Sequence, residues 1–94
     1  MPRKSGTDFM MSFVQKYLDG DMDRMGFDLD FSHCLIKHYP SMERANSDLA
    51  DCFNFYIAEE GFDQAITLND AELKKLISKQ WHKFMAAVRS DGLL

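Results

Sequence analysis

The chain has 94 residues, 46% of them apolar, with eleven Lys or Arg against fifteen Asp or Glu and a net charge of −4 at pH 7. Seven Gly or Pro and so much apolar material exclude a disordered or collagen-like chain, and the length predicts one helical domain over 7–94. No stretch approaches the ~20 apolar residues that cross a bilayer, and two cysteines make no disulfide framework.

Residues 1–6 read as a flexible, basic tail. With the apolar residues that follow they faintly resemble a secretory leader. Asp8 and Ser12 interrupt the run and no small-residue cleavage site follows, so the expected location is the cytoplasm.

Thr7 can cap a first helix over about 8–19, with Gly20 ending it. Its apolar residues, including Phe9, Met10, Met11, Phe13 and Tyr17, sweep an arc of roughly 200°, more than one side of a small bundle needs. The excess fits either a central, well-buried helix or a helix shared with a second subunit.

A second helix is predicted over 22–38. Phe27, Phe31, Cys34, Leu35 and His38 form one stripe, and Met25, Leu29 and Ile36 form a second. Tyr39 precedes Pro40, which disfavours helical geometry at Tyr39 and should close the element there.

The third helix is expected over 42–60, beginning anywhere between Ser41 and Ser47. Met42, Ala45, Leu49, Cys52, Phe53, Tyr56 and Ile57 mark its inner face, and Phe55 points away from them. Gly61 is the expected C-terminal cap with Phe62 beyond it, and a short turn fits around Asp63 to Ile66.

The last helix, 69–90, has the clearest signals. Asn69 and Glu72 have the spacing of a capping box, flanked by Leu68 and Leu73. Leu73, Leu76, Ile77, Trp81, Phe84 and Val88 line one face and predict Trp81 in the core. Lys75, Lys79, His82, Lys83 and Arg89 lie opposite, and Gly92 suits the C-terminal cap. The expected fold is all-α, a compact bundle of four helices, up-and-down or orthogonal.

Charge is unevenly distributed. Thirteen acids face three bases from Asp19 to Glu72, a net of −10, whereas five bases and no acid lie between Leu73 and Ser90. A basic last helix is one mark of nucleic-acid binding, yet the acidic whole would repel phosphates. The eight residues from Gly61 to Leu68 also exceed the 3–4-residue turn of a helix-turn-helix.

Asp19, Asp21, Asp23 and Asp30 fit positions 1, 3, 5 and 12 of a calcium loop, but Arg24 stands where Gly is needed. Cys34, His38, Cys52 and His82 lack the spacing of a zinc set, and Asp30 with His33 is one carboxylate–histidine step where a di-iron bundle needs two. No phosphate loop or nucleophile pattern stands out.

We therefore expect neither an enzyme nor a cofactor or metal protein. The expected function is protein–protein interaction, with another protein or a second copy of the chain, and no membrane contact. The candidate interaction surface is Met10, Met11, Phe55, Lys75, Lys79, Lys83 and Arg89. The alternative is a nucleic-acid-associated factor using the basic face of the last helix.

Overall fold

A computed structural model describes residues 6–92. Among them the protein is all-α, with four helices and no strand: α1 (Gly6–Leu18), α2 (Arg24–Ala45), α3 (Ser47–Phe53) and α4 (Asp70–Ser90). A π-helical segment, Asn54–Glu59, continues α3, and a 3-10 helix, Phe62–Thr67, precedes α4. The chain forms two compact units, one running through Ser47 and the other starting at Asp48.

The first unit is an antiparallel pair, α1 against α2, held by aromatic rings. Tyr17 stacks on Phe27 at 4.1 Å, Phe13 meets Phe27 at 5.9 Å and Phe31 at 6.3 Å, and Phe9 stacks on His38 at 4.2 Å. Such ring pairs add roughly 0.5–1.5 kcal/mol each beyond area burial. Gly6, expected in the tail, is buried within α1, and its N–H donates to Ser41 Oγ at 3.3 Å. Thr7 is therefore inside the helix and does not cap it; among the described residues its buried hydroxyl has no partner. Residues 1–5, the rest of the expected tail, lie outside the described residues.

Gly20 ends α1 as expected, at φ +86°. Its N–H reaches Tyr17 C=O at 3.2 Å and the Asp21 N–H reaches Lys16 C=O at 2.9 Å, the paired bonds of a Schellman motif. Asp23 then caps α2 by accepting from the Gly26 N–H at 2.7 Å.

The predicted stop at Tyr39 is wrong: α2 runs through Pro40 and ends at Asn46, whose backbone is extended. An interior proline costs about 3 kcal/mol through a lost hydrogen bond and a clash one turn back. Packing outweighs it here. The segment beyond Pro40 carries Ser41, which meets Gly6, and Met42, which is wholly buried. The third helix accordingly starts at Ser47, the later of the two starts.

In the second unit the buried face combines Leu49, Ala50, Phe53, Ile57 and Ala58 with Leu73, Ile77, Phe84 and Val88. Phe53 meets Phe84 edge-on, at 5.6 Å and 89°. The π-helical turn was not expected; Glu60 N–H bonds Phe55 C=O five residues back at 3.0 Å. Wider winding brings both Ile57 and Ala58 inward and leaves Tyr56 half-buried; Cys52, upstream in α3, is half-buried too, so neither lies fully on the inner face expected for it.

Gly61 also departs from expectation. Its φ is −111°, so no left-handed cap forms. Glycine is required there because a Cβ would lie 2.5 Å from Ile57 O and 2.8 Å from Ile77 Cδ1. The short turn expected around Asp63–Ile66 is the 3-10 helix.

The capping box of α4 is complete. Glu72 N–H donates to Asn69 Oδ1 at 2.8 Å, and Asn69 N–H donates to Glu72 Oε1 at 3.0 Å. Asp91 and Gly92, at φ +69°, close the helix. Trp81 is not core: it is half-buried on the flank, 5.7 Å from Phe84, while Gln80 takes a buried position. None of these helices is long and apolar enough to cross a membrane.

Candidate interaction surfaces

The first surface belongs to α2. Seen along the helix, Leu29 and Ile36 lie about 40° and 20° from Met25 at ~100° per residue, so the three form one stripe. They are 70%, 71% and 76% exposed. The opposite face supplies Phe27 and Phe31 to the aromatic column, and one helix, α1, cannot cover both stripes. Along α2 the stripe runs from Met25 to Ile36, eleven steps or about 16 Å at 1.5 Å per residue. An ion pair borders it, Arg24 Nε to Asp28 Oδ2 at 2.8 Å, one turn apart. An exposed pair of this kind contributes only about 0.3–0.5 kcal/mol. The sequence signal, a second apolar stripe on a helix, was visible, but it carried no sign of which stripe would be covered.

The second surface belongs to α4. Lys75, Lys79, Lys83 and Arg89 are all exposed and span about 120° of the helix circumference. Among the described residues none of the four forms an ion pair, whereas Lys74 pairs with Asp70 at 3.8 Å. Lys75 and Lys79 border an open groove of about 680 Å³, formed with Gln64, Thr67, Leu68, Glu72 and Leu76. Leu68 and Leu76 are half-buried, and Ile66 nearby is 94% exposed.

The remaining residues of the expected surface fare differently. Met10 has no exposed area, because α1 turns it inward, and it is withdrawn from the surface. Met11 is half-buried in the first unit. Phe55 is 46% exposed in the second unit and stands edge-on to Tyr56 at 5.0 Å. The four basic residues thus share one helix face, while Met11 and Phe55 stand on other elements.

No group of three or more His, Cys, Asp or Glu side chains among the described residues converges to hold a metal ion. His38 instead stacks on Phe9. Cys34 and Cys52 are free and half-buried. Burial raises the Cys34 thiol above its ordinary pKa, helped by the negative charge of Asp30. Burial likewise raises Cys52, followed by Asp91, Asp48 and Asp51. Neither has the depressed pKa of a nucleophilic cysteine.

No protein-family model, curated protein or solved structure matches the chain.

Proposed function

We propose that this protein works by binding another protein, and that the α2 stripe of Met25, Leu29 and Ile36 is its docking face. The observation that supports the reading is three large aliphatic side chains, each at least 70% exposed, on a single helical line. Apolar residues exposed singly are ordinary, whereas three that share one helical line, broken only by Ser32 between Leu29 and Ile36, favour an interface.

Burying three such side chains returns on the order of 1.5–3 kcal/mol each. Association costs about 4–15 kcal/mol in lost freedom. The stripe alone therefore gives weak binding, and a stable complex needs further contacts around it. A partner helix laid along α2 supplies them by the same ridge packing that joins helices within a protein. A second copy of the chain is the simplest such partner. Two free thiols suit a reducing compartment, which keeps the cytoplasm as the proposed location.

Nucleic-acid association through Lys75, Lys79, Lys83 and Arg89 is the competing reading, favoured by the exposure of those residues and by their lack of ion pairs among the described residues. The net charge of −4 opposes it by repelling phosphate at long range.

The test replaces Leu29 and Ile36 by Asp together. Both side chains are exposed, so circular dichroism and the melting temperature should stay near wild type. Sedimentation equilibrium across a hundredfold concentration range reads self-association. A photo-crosslinking residue at position 29, used in cells that express the chain, reads other partners. The expected result is a dimer or a crosslinked partner that the double substitution removes. A monomer at every concentration with no crosslinked product refutes the proposal.

A further inference from the structure

The groove beside α4 is separate from the α2 stripe and has a chemistry of its own. Its apolar part comes from Leu68 and Leu76, with Thr67 beside them. Its charge comes from Lys75 and Lys79. Glu72, the one carboxylate lining it, accepts from the Asn69 N–H at 3.0 Å and is held in the capping box. The groove thus joins exposed apolar surface to two ammonium groups without ion pairs among the described residues.

Two further features define the occupant. The groove is shallow and open to solvent, whereas small-molecule sites bury about 70–90% of the ligand surface. An open apolar trough suits an elongated partner that brings its own cover. The lysines are four residues apart, so their backbone positions lie about 6 Å apart along the axis. Carboxylates at i and i+4 of a second helix have the same rise. An amphipathic helix in a groove is anchored by apolar residues at i, i+3 or i+4, and here acidic flanks would meet the lysines.

We propose that this groove docks an acidic amphipathic helix of a partner protein. Its leucine-type side chains lie against Leu68 and Leu76, and carboxylates one turn apart meet Lys75 and Lys79. Apolar contact supplies affinity, and the charge pairs set orientation and selection. The site is independent of the α2 stripe and stands or falls separately.

The probe is a side-chain-stapled helical peptide with leucines at i, i+3 and i+7 and glutamates at i+4 and i+8 on the flank beside them. A second peptide carries lysines in place of the glutamates. Fluorescence anisotropy with the full chain should show micromolar binding of the acidic peptide and at least tenfold weaker binding of the basic one. Lys75→Glu with Lys79→Glu should reverse that preference, and Lys75→Gln with Lys79→Gln should abolish it. Leu76→Gln should weaken both peptides, and Leu29→Asp should change nothing. Melting curves verify that each variant folds.

The proposal is overturned if the acidic peptide fails to bind, or binds regardless of the two lysines. It is equally overturned if labelled single-stranded DNA binds more tightly than the peptide through these lysines, with a log–log salt slope of about −1 to −2 for two phosphate contacts. Self-association lost in the same lysine variants, without peptide binding, overturns it as well and makes the occupant a second copy.

Discussion

Replacing Gly61 by Ala tests the packing of the second unit where a glycine lies closest to its neighbours. The added methyl would stand 2.5 Å from the Ile57 carbonyl oxygen and 2.8 Å from Ile77 Cδ1. The two neighbours differ in how readily they yield. Ile77 can adjust its δ-methyl, but the Ile57 oxygen belongs to backbone wound into the π-helical turn. Overpacking with backbone displacement costs about 1–3 kcal/mol, against about 0.4–1 kcal/mol gained by restricting the unfolded chain. The net loss should be about 1–2 kcal/mol, from a total of about 5–14 kcal/mol for a chain this long. Urea titration should show a lower midpoint at unchanged slope, and the melting temperature should fall by roughly 5–15 °C. Ile77→Val removes Cδ1, so the double variant should be less destabilised than the sum of the singles by about 0.5–1 kcal/mol. Full rescue is not expected, since the carbonyl contact remains. A left-handed cap would behave otherwise: D-alanine would fit it, whereas at φ −111° D-alanine should not restore stability. A change below about 0.5 kcal/mol in Gly61→Ala would refute the close approach.

The half-buried position of Trp81 predicts that Trp81→Ala costs about 2 kcal/mol, whereas Phe84→Ala, at a wholly buried site between Phe53 and Trp81, costs about 3–5 kcal/mol. Denaturant titration of both variants checks the order, and equal losses would return Trp81 to the core. The raised Cys34 and Cys52 pKa values predict slower alkylation by iodoacetamide near neutral pH than a free thiol shows, with the pH–rate curve displaced to higher pH. The folded thiols hold their protons more tightly than the unfolded ones, so their contribution to stability is full below the unfolded pKa and is lost as pH rises through the folded pKa. Single-cysteine variants, Cys34→Ser and Cys52→Ser, assign each rate, and a thiol that reacts fast at pH 7 would contradict the burial argument.

The sequence by itself determined what depends on neighbours a few residues apart. Asn69 and Glu72 make the capping box, Gly20 and Gly92 take the left-handed turns, and a short turn falls around Asp63–Ile66, because caps and turns are settled by local hydrogen bonds and φ preferences. Helical periodicity in all four helices likewise carried the all-α class, and it separated the basic face of α4 from its apolar one. Tertiary structure decided the rest. The helix passes through Pro40 because Ser41 beyond it meets the Gly6 N–H of α1 and Met42 is wholly buried, a return that no local propensity records. Gly61 is glycine because Ile57 and Ile77, four residues before it and sixteen after, crowd its Cβ. Trp81 and Gln80 lie 100° apart on one face, and only the shape of the opposing surface chose which would be covered. The same holds for α2. Periodicity showed two apolar stripes of similar character, and α1 can cover one, so the exposure of Met25, Leu29 and Ile36 follows from what packs against the helix and not from its own residues.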